Sequence, residues 1–417
     1  MPIDFALAER LFASIRAATR DGPGVTRAAY GAGEATAHAL VRAEGERLGL
    51  EIAVDFAGNL LMTLPGRDRT QPVVVVGSHL DSVRQGGDYD GTVGVVAALS
   101  AVEAMVVGSN VPRCDIVVSV VRAEESGSWF PTSFPGSRAL LGRLSPEALQ
   151  TCRLDTGRTL SEHMDEAGFD SGAVAAGRCL LPPSRVAAYV ELHIEQGPVL
   201  DHAGVAVGVV TAVPGSRRLR AGRVFGETNH SGATPRAFRR DAAIALAEFA
   251  VALDDLWAEL EADGHRLVLT FCVLATSPDA GFTKIAGEAR FELDVRSVDP
   301  ASVDAVFDAI VRLVPAIEAR RGVRFDLGPE TGSVATPMDA RLRAELLAAA
   351  DRLGITTMEL SSGGGHDPVS FAQAGVPAAL LFVANQHGSH TPAEAMRIAD
   401  FGQAVRVLSA WLETAAE

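Results

Sequence analysis

Four apolar runs of the chain each lead into a histidine or a carboxylate, and these residue types are suited to metal chemistry. The first run leads into His79 and Asp81, the second into Glu124 and Glu125, and the third into His193. The fourth is followed, after a short loop, by His390. Imidazole nitrogens and carboxylate oxygens are the ligands that borderline divalent ions such as Zn²⁺, Mn²⁺ and Co²⁺ take from proteins. Chance placement of such residues after four successive runs is improbable, so the pattern predicts a metal site.

The carboxylates of this set indicate two ions and a general base. Asp90 is expected just before a helix, at the same edge as the histidines. An aspartate and a glutamate among the ligands allow two ions about 3.5 Å apart to share a carboxylate. One of the adjacent residues Glu124 and Glu125 is then spare to act as a general base for the attacking water. Asp81, two residues after His79, is placed to accept the imidazole N–H and orient the ring.

These four apolar runs and one more, residues 205–213, are predicted to be buried strands. The four runs cover residues 73–76, 116–121, 187–194 and 378–383. Continuous Val, Ile and Leu runs are typical of strands covered on both faces, and helical patterns such as residues 91–107 lie between them. This alternation favours an α/β domain, in which ligands bind beyond the carboxyl ends of the strands. We therefore expect the candidate residues to converge at one edge of a sheet.

The middle of the chain has a different order of predicted elements. Strands are predicted over residues 218–227, 267–275, 289–298 and 323–327, and helices over 241–263 and 301–321. The order β-α-β-β-α-β is that of a ferredoxin-like sandwich. We therefore predict an α/β protein with a mixed-sheet catalytic domain, residues 1–211 and 330–417, and an inserted ferredoxin-like domain, residues 212–329.

Composition restricts the partners and the compartment of the chain. Its 417 residues carry a formal net charge of −15, which disfavours a nucleic-acid or anionic-membrane partner. No run approaches the roughly 18 apolar residues of a transmembrane helix, and the N-terminal stretch is too acidic for a signal peptide. Four scattered cysteines without a Cys-x-x-Cys pair fit a reduced, cytoplasmic protein.

The other histidines are not expected to take part in the chemistry. Four of them lie in polar or helical stretches and are expected at the surface, namely His38, His163, His202 and His265. His387 lies in the same loop as a candidate ligand but is given no role.

Several motifs resemble those of a known enzyme family. Residues 77–83 with 86–91 are similar to the metal-binding signature of the dinuclear M20-type metallohydrolases. Residues 191–198 resemble the hydantoinase/carbamoylase branch, which contains N-carbamoyl-L-amino-acid hydrolases, β-ureidopropionases and allantoate amidohydrolases. The same branch is matched by residues 226–235, 363–367 and 389–394. The resemblance covers nearly the whole chain, in the family's order.

The resemblance implies two divalent metal ions per subunit (Zn, Mn, Co or Ni) and a catalytic base. The implied metal ligands are His79, Asp90 and His193 for one ion, and Asp90, Glu125 and His390 for the other, with Asp90 bridging. Glu124 is implied as the general base, which activates the water and later protonates the leaving amine.

The resemblance also implies residues that bind a small substrate carrying a carboxylate. His230 of the inserted domain would stabilise the oxyanion of the tetrahedral intermediate, often in the active site of a partner subunit. Gln196 and His366, with the backbone amides around Gly364, would hold the substrate. Arg296 would bind the substrate carboxylate through a bidentate pair. The implied assembly is a homodimer joined by the inserted domain, which also closes as a lid.

The chain departs from the family pattern mainly in the region implied to bind substrate. Thr283 and Ala286 replace a common Asn and Pro, so that one polar contact at Thr283 is expected to be lost or moved. Arg236 stands where Met is common, and Pro368 where a small residue is usual. The exact substrate is therefore left open.

A further departure lies next to the two adjacent glutamates. The stretch after them is one residue longer than usual and carries Trp129, which either lines a larger apolar pocket or packs against the rim. The extra residue also leaves the metal ligand uncertain by one position between Glu124 and Glu125. The spacing from Asp90 favours Glu125 as the ligand.

Two enzymatic functions are compatible with these residues. The first is an amidohydrolase that cleaves a linear non-peptide C–N bond of an N-carbamoyl or ureido amino acid and releases amino acid, ammonia and carbon dioxide. The second is an N-acyl-L-amino-acid deacylase or small-peptide hydrolase, which the departures at Thr283 and Trp129 favour. A non-catalytic protein that keeps the fold is disfavoured, because no ligand and no candidate base is missing.

Overall fold

The structure, a computed structural model, describes residues 5–416. Residues 1–4, which belong to the N-terminal stretch considered above for a signal peptide, and residue 417 lie outside the described residues. The helices are α1 (Ala6–Thr19), α2 (Ala32–Arg47), α3 (Thr92–Val107), α4 (Pro135–Leu140), α5 (Pro146–Leu149), α6 (Leu160–Glu166), α7 (Ser171–Ala175), α8 (Val199–Ala203), α9 (Ala242–Ala262), α10 (Pro300–Arg321), α11 (Ala340–Arg352), α12 (Pro368–Gln373) and α13 (Ile398–Ala415). Among them, none combines the length and the apolar character needed to span a bilayer.

The strands of the described residues range from two residues in β1 to 11 in β10. They are β1 (Arg20–Asp21), β2 (Gly24–Val25), β3 (Glu51–Val54), β4 (Leu60–Leu64), β5 (Val73–His79), β6 (Ile116–Val121), β7 (Val186–Ile194), β8 (Val207–Val210), β9 (Ala212–Val213), β10 (Gly215–Phe225), β11 (Val268–Thr276), β12 (Glu288–Ser297), β13 (Arg324–Asp326), β14 (Glu330–Ser333), β15 (Thr336–Pro337), β16 (Thr357–Leu360) and β17 (Ala378–Val383). Short 3₁₀ turns occur at Pro183–Arg185 and Arg236–Phe238.

The chain divides into two compact units, one inserted into the other in sequence. The first unit comprises Met1–Thr211 and Met338–Glu417, and the second comprises Ala212–Pro337. Residues 330–337 therefore belong to the second unit, where the prediction had placed them in the catalytic domain. The reason is strand pairing, because β14 pairs with β10 and β15 pairs with β9.

The first unit is built around a mixed sheet of eight strands in the order β16-β8-β17-β7-β5-β6-β4-β3. Its four central strands β17, β7, β5 and β6 are mutually parallel. By contrast, β8 joins β17, and β4 joins β6, in the antiparallel sense. Parallel strands finish at the same edge of a sheet, so the segments that follow the four central strands meet there. The predicted mixed-sheet α/β architecture is confirmed.

Burial on both faces accounts for the continuous apolar runs. Every residue of β5, β6 and β17 is buried. Val74 and Val76 share one core with α1, α3, α11 and α13, whereas Val73 and Val75 share another with Leu140 and Phe371 on the opposite face. A fully buried side chain of this kind contributes about 1.5–3 kcal/mol. The two cores together hold the strand ends in fixed positions.

The second unit contains the elements predicted for it, in the predicted order. Its main sheet runs β11-β12-β10-β13, and β14 pairs with β10. The long helices α9 and α10 pack against this sheet through a core that includes Phe249, Phe291 and Phe325. The centroids of the Phe249 and Phe291 rings are 5.6 Å apart.

Two predictions about histidines were wrong. His38 in α2 and His163 in α6 are buried instead of lying at the surface. Each lies on the buried side of its helix, His38 with Ala37 and Val41, and His163 with Leu160 and Met164. The small and polar residues around them concealed that side in the sequence. In the stretch between Cys152 and Ser184, which contains His163, the structure forms α6 and α7.

Candidate metal site

The candidate ligands lie where the four parallel strands end. They are His79 at the end of β5, Glu124 and Glu125 after β6, His193 near the end of β7, His390 after β17, and Asp90 just before α3. All are buried except His390, whose side chain is 51% exposed. The fold thus gathers residues from five separate segments into one cluster.

The carboxylate of Asp90 lies between two groups of potential ligands. Its Oδ1 is 3.1 Å from His193 Nε2 and 3.8 Å from His79 Nε2. Its Oδ2 is 3.1 Å from His390 Nε2, and that nitrogen is 3.7 Å from Glu125 Oε2. Within each group the donor atoms lie within 4.8 Å of one another, which is close enough to hold a metal ion. Asp90 therefore has the position of a carboxylate that two groups share.

Burial and hydrogen bonding shift the protonation of these residues in opposite directions. Burial raises the pKa of Glu124 well above its ordinary value and raises the pKa of Glu125 to about 8. Burial alone would also raise the pKa of Asp90, but hydrogen bonds with His193 and His390 hold it well below its ordinary value. The hydrogen bond with Asp90 in turn raises the pKa of His390 to about 9. Asp90 is therefore the anion around which the histidines are arranged.

The donor atoms of the cluster fit divalent metal ions. Glu125 Oε1 is buried and has no hydrogen-bond partner among the described residues, which is unusual for a carboxylate oxygen. The Nδ1 atoms of His79 and His193 lie 3.1 and 2.9 Å from the backbone carbonyl oxygens of Asp81 and Ile194. A carbonyl only accepts, so each Nδ1 carries a proton and each Nε2 is available to bind a metal.

A glycine permits this packing around the histidine rings. Gly91 has a φ of 65°, and a Cβ at this position would lie 2.4 Å from the His79 ring. A larger residue would therefore displace a ligand as well as strain the backbone.

Asp81 joins the ligand-bearing ends of two strands. Its Oδ1 lies 3.3 Å from His79 Nδ1. Its two oxygens also accept hydrogen bonds from the backbone N–H groups of Glu124 and Glu125, both at 3.0 Å. The sequence suggested the contact with His79. The contacts with the two glutamates connect distant parts of the chain and left no local signal.

Three of the predicted substrate-binding residues lie beside the cluster. Gln196 Nε2 donates to Asp90 Oδ2 at 3.0 Å, and the ring centroid of His366 is 4.4 Å from that of His193. A Cβ at Gly364 would lie 2.9 Å from Gln196 Oε1, so the glycine allows a close approach of this loop. The structure thus brings all three residues together with the metal-binding candidates.

A third group of potential ligands, Glu191, His193 and His366, is less suited to a metal ion. Both oxygens of Glu191 already accept hydrogen bonds, from Ser78 Oγ at 2.7 Å and from Tyr189 Oη at 2.9 Å. These contacts hold the Glu191 carboxylate in place near His193.

Two further residues near Asp90 had been given no role from the sequence. Glu394 accepts hydrogen bonds from the backbone N–H groups of Tyr89 at 2.8 Å and Asp90 at 3.2 Å. Ser389 Oγ lies 2.6 Å from Glu394 Oε2 and 3.0 Å from Asp90 Oδ2. A Cβ at Gly87 would lie 2.2 Å from the Glu394 carboxylate. The motif of residues 389–394 contains both residues, and it was the one signal that could have pointed to them.

His230 and Arg296 belong to the second unit, where local contacts orient both side chains. The exposed His230 accepts hydrogen bonds at Nδ1 from the backbone N–H groups of Gly232 and Ala233, at 3.1 and 3.0 Å. The neutral ring therefore carries its proton on Nε2 and presents it as a donor. Asp294 Oδ2 accepts from Nε and Nη2 of Arg296 at 2.9 and 2.8 Å and fixes the direction of the guanidinium.

The structure answers one of the questions raised by the departures from the family pattern. Trp129 is 3% exposed, packs with Tyr30 and Phe130, and donates from Nε1 to the Ser82 carbonyl at 2.9 Å. Its side chain therefore packs in the interior of the first unit. Thr283 is exposed in the second unit, and its carbonyl accepts a hydrogen bond from the Ser231 N–H at 3.0 Å.

Backbone conformation at the site is unusual. Ala123, Gln196 and His390 have φ values of 58°, 66° and 58°. Each left-handed non-glycine residue costs on the order of 1 kcal/mol and persists only where its surroundings hold it. These three positions turn the chain so that the side chains after β6, β7 and β17 point into the cluster.

The role of Asp81 leads to a first prediction. In Asp81→Asn, an amide nitrogen would face a backbone N–H of Glu124 or Glu125, and two donors cannot pair. We expect a metal affinity about 10–100-fold lower, as is typical when a residue that orients ligands is changed. Equilibrium dialysis of the metal-free protein measures this, with the exposed Asp351→Asn as the matched control. Equal affinities for both variants would contradict the assigned role.

Comparison with known proteins agrees with the geometry. The sequence model of Peptidase family M20/M25/M40 matches residues 75–414 of this chain. The chain is 37% identical to an N-carbamoyl-L-amino acid amidohydrolase of Geobacillus stearothermophilus, over 89% of this chain and 88% of that protein. It is 34% identical to an allantoate amidohydrolase of Escherichia coli (strain K12), over 87% of this chain and 86% of that protein.

A solved structure extends this likeness to the fold. A hydantoinase/carbamoylase family amidase from Burkholderia ambifaria has a TM-score of 0.86 and 30% sequence identity, covering 100% of this chain and 98% of that one. Both the matched sequence and the matched structure include the cluster around Asp90. The chain belongs to Peptidase family M20/M25/M40 and, within it, to the hydantoinase/carbamoylase branch.

Proposed function

We propose that this chain is a metal-dependent amidohydrolase that cleaves a linear, non-peptide C–N bond of an N-carbamoyl or ureido amino acid. The products are the free amino acid, ammonia and carbon dioxide. The observation that carries the proposal is the buried carboxylate of Asp90, whose two oxygens face separate ligand groups, with the acid Glu124 beside them. Relatives named for N-carbamoyl-amino-acid and allantoate hydrolysis support the substrate class.

We assign two divalent ions to the site, with zinc, manganese, cobalt or nickel as candidates. The proposed ligands are His79, Asp90 and His193 for one ion, and Asp90, Glu125 and His390 for the other. When bound, such ions polarise a carbonyl group and make a water molecule more acidic. Of the two glutamates, Glu125 is the one whose carboxylate groups with Asp90 and His390, and this supports Glu125 as the ligand.

Glu124 is then the general base. Its Oε2 lies 3.7 Å from His79 Nε2, so it borders the cluster, although it belongs to neither of the two groups that share Asp90. It takes a proton from the attacking water while the water oxygen bonds to the carbamoyl carbon. It then gives the proton to the amino acid nitrogen as the C–N bond breaks. The resulting carbamic acid separates into ammonia and carbon dioxide.

Residues of both units are proposed to bind the substrate. Gln196, His366 and the backbone at Gly364 border the cluster and can hold the carbamoyl group. His230 is proposed to donate from Nε2 to the oxyanion, which its Nδ1 contacts support. Arg296, oriented by Asp294, is proposed to bind the substrate carboxylate.

The exposure of Thr283 is compatible with a substrate contact that differs from that of an asparagine. The alternative function, an N-acyl amino acid deacylase or small-peptide hydrolase, has lost part of its support. One of its two reasons was an apolar pocket lined by Trp129, and that side chain is packed inside the first unit. The two relatives reported above are named for N-carbamoyl-L-amino acids and for allantoate, not for acyl groups or peptides.

We also propose a homodimer that forms through the second unit, in a cytoplasmic enzyme. Strand β11 lies at the edge of its sheet and exposes Val268 and Leu274 by 46% and 51%. An edge strand with exposed apolar side chains is suited to pairing with a second copy. The second unit is proposed to act as a lid as well. All four cysteines are unpaired, which supports a reducing compartment.

A product assay tests the function. The Mn²⁺-loaded protein would be incubated with N-carbamoyl, N-formyl and N-acetyl L-amino acids, with allantoate and with dipeptides, and freed amine and ammonia would be quantified together. We expect amine with matching ammonia from the carbamoyl or ureido substrates, and loss of both after EDTA treatment. Amine without ammonia, from acyl substrates or dipeptides, would replace the proposal with the deacylase or peptidase function.

The role of the base has its own test. Glu124→Gln keeps the shape of the side chain but cannot accept the proton, so turnover should fall about 10²–10⁴-fold. Metal content, measured by inductively coupled plasma mass spectrometry, should stay at the parental level, because Glu124 is not assigned as a ligand. The exposed Glu166→Gln serves as the control. Near-normal turnover of Glu124→Gln would contradict the assignment of Glu124 as the general base.

The dimer is tested by light scattering after size-exclusion chromatography. We expect a mass of twice the 43.6 kDa of one chain. Leu274→Lys should shift the protein towards the monomer, because it places a charge on the apolar edge. Val107→Lys, at an exposed position of the first unit, should leave the mass unchanged. A monomeric parent protein would refute the proposed assembly.

A further inference from the structure

Arg27 is a buried cation near the candidate metal site, and none of the roles above uses it. It lies in the loop between β2 and α2 and has no solvent exposure. A buried charge is costly unless its surroundings satisfy it. The hydrogen-bond partners of its guanidinium are nevertheless neutral: Nε donates to the Leu80 carbonyl, and Nη2 donates to Thr92 Oγ1 at 3.0 Å.

The two acceptors belong to two segments that carry proposed metal ligands. Leu80 stands between His79 and Asp81, and Thr92, the first residue of α3, follows Asp90 by two positions. A guanidinium is planar and holds its donors in fixed directions. One side chain therefore contacts both the residue that follows β5 and the first residue of α3.

The backbone of Arg27 is tied to the same loop. Its N–H donates to Ser82 Oγ at 2.9 Å, and the Ser82 N–H donates back to the Arg27 carbonyl at 3.0 Å. Two residues earlier, Val25 and Gly86 exchange a pair of backbone hydrogen bonds. Hydrogen bonds therefore hold the backbone of Arg27 in place, which a residue that positions others requires.

The charge of Arg27 and its hydrogen bonds affect the affinity for a metal ion in opposite directions. The carboxylates that act on it are those of Asp90, Asp81, Glu394 and Asp88. A fixed positive charge among them repels a divalent ion, so removing the charge alone would strengthen metal binding. Removing the hydrogen bonds would instead loosen the ligands and weaken metal binding. The direction of the change in affinity therefore separates the two effects.

We propose that Arg27 is a positioning residue of the metal site, which fixes His79 and Asp90 relative to each other through its hydrogen bonds to Leu80 and Thr92. The inference rests on the proposed metal site. It concerns a residue outside the part of the chain that the family description matches, which begins at residue 75.

Three substitutions and one binding measurement test the inference. Arg27→Met removes the charge and the hydrogen bonds, Arg27→Lys keeps the charge but cannot span both acceptors, and Thr92→Val removes one acceptor with little change of shape. We expect each variant to bind Zn²⁺ about 10–100-fold more weakly than the parent. Equilibrium dialysis of metal-free protein against buffered Zn²⁺ gives the affinity without any substrate.

Controls separate positioning from a general loss of stability. The exposed Arg20→Met, in the same N-terminal segment, should bind Zn²⁺ like the parent. Thermal unfolding of each metal-free variant shows whether it is folded, and Thr92→Val keeps the test valid if a variant of Arg27 does not fold. The visible absorption of bound Co²⁺ should change in the Arg27 and Thr92 variants, because it reports on ligand geometry.

The outcomes distinguish this inference from the proposed function. If the parent binds no Zn²⁺, the proposed metal site fails. If the parent binds Zn²⁺ and folded Arg27→Met binds it equally or more tightly, the positioning role is overturned and the charge alone acts. If Arg27→Lys binds like the parent while Arg27→Met does not, the two-point hydrogen bonding is overturned.

Discussion

The burial of several carboxylates in one crevice is the constraint on which the rest of the structure depends. Asp81, Asp90, Glu124 and Glu125 are each at most 7% exposed. Buried like charges are stable only when donors or cations surround them. Histidine rings surround Asp90, and backbone N–H groups satisfy Asp81. Glu125 lacks a hydrogen-bond donor for one of its oxygens, Oε1, which has no partner among the described residues. The crevice is therefore suited to binding cations.

Such a crevice needs ligands from distant segments at fixed spacings, and the parallel sheet provides them. The central strands β17, β7, β5 and β6 are neighbours that finish at one edge, so four segments reach the crevice without long loops. The apolar cores on both faces keep these strand ends from moving. Left-handed residues such as Ala123 and His390 then turn the side chains inward, at a cost that the surrounding contacts offset.

The sequence predicted those parts of the site that local patterns encode. Apolar runs followed by His79, Glu125, His193 and His390 indicated both the strands and the edge where they end. The contacts of Asp81 with the glutamates and of Glu394 with the loop before Asp90 could not be predicted, because they join residues far apart in the chain. The burial of Trp129 was undecided for the same reason: one extra residue can place a side chain in a core or in a pocket, and the neighbouring aromatic residues decide.

The proposed metal ligands and three of the departures from the family pattern lie in different units of this chain. The proposed metal ligands and the base all lie in the first unit, where the sheet fixes them. The departures at Thr283, Ala286 and Arg236 all lie in the second unit, which has its own core around Phe249 and Phe291. Each unit has its own apolar core, so these three substitutions leave the packing that fixes the proposed ligands unchanged. The proposed change of a substrate contact at Thr283 is therefore compatible with an intact set of proposed metal ligands.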